Sequence, residues 1–312
     1  MIRTVEIDLY RDYAGVCRAA LRAARCATGK LATDGDVVRA YLNLQWKLVR
    51  PVPRAIARSS SLQCPPKLQA GLDEIERKIR LGEDLIPHLS SKALKKYDDA
   101  LLNDWGIHHL HLSAVMGPRG FVMRTGPALF AKFTDTTAYL IGVFDHGDPL
   151  TYTRQSMIQI LHQEFPESIA RYRLRGALGT ERRLSDEQIG NLRKNNYSYA
   201  LTVGDGTVYF SPGFGSSTNG TSTMVALEAM WWKRYYDWLS KRVADDIDQI
   251  AAQVSAIGRE LPEHSKFLAT TGPDGGLAIR EITTGLTLTM QHYEELARKG
   301  SVSPSIPEEP AA

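Results

Sequence analysis

The apolar residues of this 312-residue chain change their period at Gly106, and that change restricts the chain to the α+β class. Before Gly106 they recur at three- and four-residue steps, the spacing of helices buried along one side. Over 106–114, 128–133 and 137–144 they alternate, the spacing of strands. Helical spacing returns over 151–164. The expected fold is therefore α+β, with a helical N-terminal segment, a small central antiparallel sheet and a C-terminal α+β region carrying a long helix.

The helical part can be read in pieces. Tyr13, Val16, Cys17, Ala20, Leu21 and Ala24 form one stripe over 10–26, with Arg11, Arg18, Arg22 and Arg25 mostly opposite. Asp34 or Asp36 caps a second helix over 37–49, which stops before Pro51 and Pro53 because proline has no amide to donate. The serine- and proline-rich stretch 54–66 reads as a mobile loop. A helix follows over 68–81, and Ser90 caps another over 92–103. Beyond the central strands, 197–203 and 207–211 flank the turn Gly204, Asp205, Gly206, a hairpin signal. The glycine- and serine-rich loop 212–222 runs into a long helix over about 223–260. Strands over 276–281 and 286–290 precede a short helical end. The expected domains are a mostly helical basic segment 1–103, a central α+β domain 104–180, a C-terminal α+β region 181–300 and a disordered tail 301–312.

Composition narrows the function classes. With 43% apolar and 23% charged residues the chain can bury an ordinary globular core. Glu6, Asp8 and Asp12 interrupt what a signal peptide would keep apolar, and no stretch is long and apolar enough for a bilayer span, so a cytoplasmic protein without membrane contact is expected. Cys17, Cys26 and Cys64 lack metal-type spacing and are expected as buried, reduced thiols. Between Arg3 and Lys67 twelve basic residues face five acids, which suits either a polyanion partner or a solvated helical surface.

The densest chemistry lies at 105–113 (WGIHHLHLS). On a strand, Ile107, His109 and His111 share one face and His108, Leu110 and Leu112 the other. The leucines anchor the core, so the His109 and His111 face is expected to look into a cleft or solvent. Two imidazoles on one face can act as general acid and base or hold a transition metal; they can equally satisfy local hydrogen bonds. A second cluster, FDHGD over 144–148, ends the following hairpin. His146 there is a candidate to join the first two, while Asp145 and Asp148 suit a turn.

The stretch ALFAKFTDTTAYLIGVFDHG over 128–147 resembles the central hairpin of RelE-like toxins. The resemblance implies the small sheet shared by barnase-like, EndoU-like and RelE-like (BECR-type) nucleases, which cleave RNA without a metal or other cofactor by acid–base chemistry on the ribose 2′-hydroxyl. On that reading His109, His111 and His146 supply the acid and base. Lys132, Arg124 or Arg119 steadies the phosphorane charge. Arg171, Arg173 and Arg175, if 171–175 is a strand, form a phosphate-binding row, and otherwise a solvated helix end or edge strand; Lys132 is a further substrate-binding candidate. RNA or another nucleic acid is then the partner, in a toxin or phage-defence setting, with an antitoxin or similar protein as a second partner. Two other readings stay open: a non-catalytic nucleic-acid- or protein-binding regulator, and a metal-dependent hydrolase using His109 and His111. The loop 213–222 offers amides at a helix start but is not a phosphate-binding P-loop. Trp231, Tyr235 and Trp238 form a stripe on the long helix, read first as core and second as a surface for homo-oligomerisation.

Overall fold

The computed structural model describes residues 3–95, 98–117, 119–177, 179–180, 182–271 and 277–290. In chain order the elements are β1 (Thr4–Ile7), α1 (Leu9–Ala23), α2 (Asp34–Lys47), β2 (Ala55–Arg58), α3 (Gln69–Leu81), α4 (Ala100–Trp105), β3 (Ile107–His111), β4 (Pro127–Phe133) and β5 (Thr137–Asp145). They continue as α5 (Ser156–Glu164), α6 (Asp186–Lys194), β6 (Ala200–Thr202), β7 (Val208–Phe210), α7 (Thr223–Asp245), α8 (Ile247–Ala256), β8 (His264–Thr271), β9 (Leu277–Glu281) and β10 (Thr287–Thr289). The fold class is α+β, with a helical first segment, a small central sheet and a C-terminal region carrying a long helix. No helix among the described residues is long and apolar enough to cross a membrane.

The chain divides into two compact units. The described residues of 1–41 and 227–310 make one, and those of 42–226 make the other. The expected central segment 104–180 lies wholly within the second; 1–103 and 181–300 each contribute to both. The tail 301–312 and the expected helical end lie outside the described residues.

In the first unit β1 pairs in parallel with β8, and β8, β9 and β10 continue the sheet antiparallel. Tyr13 of α1 packs on Trp232 and Tyr236, with ring centroids 5.3 and 5.0 Å apart, and Trp231 stacks on Tyr235 at 5.2 Å. The aromatic stripe is therefore engaged in packing. The expected single helix over 223–260 is two, because Asp246 leaves helical geometry between α7 and α8.

The second unit holds the histidine strand. Its sheet runs β2-β5-β4-β3, in which β3, β4 and β5 are antiparallel and β2 lies parallel beside β5. Leu72, Ile75 and Ile79 of α3 pack on Leu110, Leu129 and Leu140 on one face, and Met157, Ile158 and Leu161 of α5 pack on Ile107, Phe130 and Ile141 on the other. Both faces are thus covered. The helix α3 approaches β3 so closely at Gly71 that a Cβ there would sit 1.9 Å from the Leu112 carbonyl oxygen.

Several expectations change here. The stretch 54–66 contains β2, and its serines are anchored: Glu164 accepts from the Ser60 amide at 2.6 Å and from its hydroxyl at 3.1 Å. Ser90 caps only a 3-10 turn, Ser91–Leu94, while α4 has its own cap in Asp99. The loop 212–222 is docked: the Gly213 and Gly215 amides donate to the Asp104 and Asn103 carbonyls, and a Cβ on Gly213 would lie 2.4 Å from two carbonyl oxygens of α4. Cys17 is buried, whereas Cys26 and Cys64 are half-buried, and none of the three forms a disulfide among the described residues.

Candidate active site at the histidine strand

Strand β3 is set by what precedes it. Asp99 Oδ1 accepts from the Leu101 and Leu102 amides, both at 3.1 Å, and starts α4. Gly106, with φ +66°, ends α4 in the left-handed conformation and turns the chain directly into β3. His109 then pairs with Phe130 and His111 with Ala128, directly opposed across the β3–β4 ladder. Residues so opposed share a face, and this face is the one α5 covers. The expected opening to a cleft or solvent is therefore reduced to a small cavity, and His111 is only 2% exposed. His108 lies on the α3 side, edge-on to Phe133 at 5.5 Å.

His146 arrives from the end of β5. Its amide donates to the Gly126 carbonyl at 2.7 Å, which folds the chain back over the start of β4. The ring centroid of His146 lies 5.4 Å from that of His109 and 5.1 Å from that of His111, and the latter two are 6.4 Å apart. The three histidines that the sequence singled out thus meet in one cluster. Tyr152 completes it, 5.6 Å from His109 and 5.7 Å from His146. The neighbouring aspartates serve the turn: Asp145 accepts from the Gly147 amide, and Asp148 caps the 3-10 turn Pro149–Thr153.

A cavity of about 80 Å³ opens at this cluster, lined by His108, His109, His146, Tyr152, Asp99, Arg124, Lys92 and Lys47 among others. His111 sits behind His146 and does not line it. Asp99 Oδ2 stands 3.9 Å from His109 Nδ1, an ion-pair distance once the ring is protonated. His109 Nδ1 and both ring nitrogens of His111 are buried without a hydrogen bond of ordinary geometry. The backbone of Thr125 is the polar neighbour of His111. From behind, His88 Nδ1 donates to the His111 carbonyl at 3.0 Å and holds the strand.

Electrostatics keep every ring of the cluster neutral near pH 7. Burial pushes His111 down to about 4, helped by His146, His109 and Arg124. Burial also lowers His109, with Arg124 and Lys92 adding to the effect and Asp99 opposing it. His146 is lowered by burial, then by His109 and Arg124. His108, half-buried, falls to about 3, through desolvation first and then His109, Lys132 and Arg54. No group of three or more His, Cys, Asp or Glu side chains among the described residues is arranged to hold a metal ion.

Searches against protein-family models, curated proteins and solved structures find no match to this chain.

The expected phosphate-binding residues lie elsewhere. Lys132 is buried, and its ammonium fills the space under Gly106, donating to the Trp105 and Pro212 carbonyls at 3.2 Å each. Burial lowers it to about 7. The segment 171–175 is not a strand: Arg171 lies in a 3-10 turn, Ala170–Tyr172, and only Arg173 forms a bridge, to Tyr209. Arg171, Arg173 and Arg175 are exposed, but no common strand face aligns them. Arg124 does reach the cavity; Arg119 is exposed in the preceding loop.

Sequence reasoning missed Asp99, Lys92 and Tyr152. It also missed their support, a buried pair in which Arg193 Nε meets Asp104 Oδ2 at 2.6 Å. Tyr199 donates to the same carboxylate at 2.9 Å, and Arg193 also holds the Tyr152 carbonyl. An Asp before the Leu-Leu pair of α4 was a visible cap signal; the pairing of α4 with α6 left none.

Proposed function

We propose that this chain is a nuclease that cleaves RNA by histidine acid–base chemistry, acting in the cytoplasm in a toxin or phage-defence setting. The observation that carries this reading is the meeting of His109 and His146, 5.4 Å apart, on a cavity that Arg124 and Lys92 also line. In this chemistry the ribose 2′-oxygen attacks phosphorus as one neutral imidazole takes its proton. The bond from phosphorus to the 5′-oxygen breaks as a second imidazole, protonated, gives a proton to the leaving oxygen. Arg124 and Lys92 face the charge that builds on the phosphorane. Asp99 orients His109 and stabilises its protonated form, and His111 packs behind His146. Lys132 and the arginines of 171–175 have no part in this step. The resemblance of 128–147 to RelE-like toxins points the same way. A protein partner that silences the chain, and self-association through the Trp231 and Trp238 helix, complete the proposal.

The test compares wild type with His146→Ala and with the His109→Ala/His111→Ala double variant on a defined RNA, with and without chelator. Wild type is expected to cleave in EDTA, and each variant to lose about 100-fold or more. If wild type leaves RNA intact while all three proteins bind it equally, the chain is a binding protein and the nuclease reading is lost. Activity abolished by EDTA and restored by zinc or manganese would replace it with a metal-dependent hydrolase.

A further inference from the structure

We infer that the histidine cavity is a phosphate-type oxyanion site that takes up a proton from solvent as it fills. The inference rests on the reading just given, because it assigns the ligand class of the same site, but it is measured on a different quantity.

The polar groups of the cluster come first. On the cavity wall, His109 Nδ1 and both ring nitrogens of His108 are buried without well-formed hydrogen bonds, a costly arrangement that a ligand can relieve. Imidazoles can meet a cation through lone pairs or an anion through N–H groups, so the surrounding charge decides between them. From α2 comes Lys47, whose ammonium also donates to the Lys95 carbonyl at 2.7 Å, from the turn Ser91–Leu94 comes Lys92, and from the loop before β4 comes Arg124; among the described residues the carboxylate on the cavity wall is Asp99. Three cations against one acid repel a divalent metal and attract an anion.

Size comes second. About 80 Å³ admits on the order of six water molecules, enough for one tetrahedral oxyanion.

The proton follows from both. The groups facing His109 and His146 are Lys47, Lys92, Asp99, Arg124, Tyr152, His108, His111 and, at the end of β5, the exposed Asp145. Burial and Arg124 hold the two imidazoles neutral. An anion seated among them cancels the repulsion from Arg124 and Lys92 and adds an attraction of its own, so a ring that was neutral gains a proton. That protonated ring is the general acid that an empty site lacks.

The experiment is calorimetric titration of the full-length protein with inorganic sulfate, which stays a dianion through the neutral range, and with inorganic phosphate. Each titration is run in two buffers of different ionisation enthalpy. The expected result is an enthalpy that depends on the buffer with the sign of proton uptake, and sulfate affinity that weakens about tenfold per pH unit between the free-state and the bound-state histidine pKa and levels off above the latter. Arg124→Ala should weaken binding, and His146→Gln should reduce the uptake; circular dichroism of each variant verifies that it is folded. Sulfate binding without proton uptake, or no oxyanion binding by the folded protein, overturns the inference, as does zinc binding in its place. RNA cleavage separates the two readings. Proton-coupled sulfate binding by a protein that leaves RNA intact removes only the nuclease, and histidine-dependent cleavage without uptake removes only the oxyanion coupling.

Discussion

His111 shows what burial does to a single residue. Its ordinary value of 6.5 falls to about 4 in the fold, so the folded chain stays neutral there while the unfolded chain takes up a proton. Stability is therefore complete above about pH 7 and declines as pH falls from 6.5 towards 4, by on the order of 3 kcal/mol for this ring. Urea unfolding between pH 7 and pH 5 checks it: His111→Gln should show a shallower decline than wild type. Equal slopes would mean that the ring is not shielded as its 2% exposure requires. Lys132 carries the same lesson with the opposite functional consequence. Its charge looked like a phosphate contact, but its donors are already committed to two backbone carbonyls.

At the scale of an element, α4 links folding to chemistry through Asp99. One carboxylate oxygen caps the helix and the other faces His109 at 3.9 Å. Asp99→Asn keeps a good cap and removes the charge, whereas Asp99→Ala loses both and should cost about 1 kcal/mol of stability. Since Asp99 opposes the lowering of His109, the Asn variant should unfold like wild type while the acid limb of its RNA-cleavage profile moves to lower pH. An unchanged profile would leave Asp99 a cap and nothing more. The sheet makes a related point. Strand β2 joins β5 in parallel from a stretch of prolines and serines, and its four residues show no period long enough to read as a strand.

On the scale of the whole molecule, every group of the candidate site falls within 42–226. That unit has its own sheet, with α3 and α5 on opposite faces. A fragment of 42–226 is expected to unfold in one cooperative step by far-UV circular dichroism and to keep the RNA cleavage of the full chain. A fragment that is unfolded would show that this unit is not stable on its own. The unit of 1–41 and 227–310 binds chain segments more than 200 residues apart by pairing β1 with β8, a contact no local pattern announces.

What the sequence determined by itself is what depends on neighbours along the chain. The change of period at Gly106 marks the α+β class, the alternation of β3 separates His108 from His109 and His111, and the hairpin of β4 and β5 is written in its own residues. Tertiary structure alone decided whatever needs two distant segments. The approach of His146 to His109 and His111 depends on a turn folding back over β4. Asp99 became part of the site because α4 feeds β3 through a left-handed glycine, and Tyr152 because Arg193 of α6 holds its carbonyl. Periodicity reports which side of an element is buried; which element buries it, and which polar atoms are left facing one another there, is settled only when the elements pack.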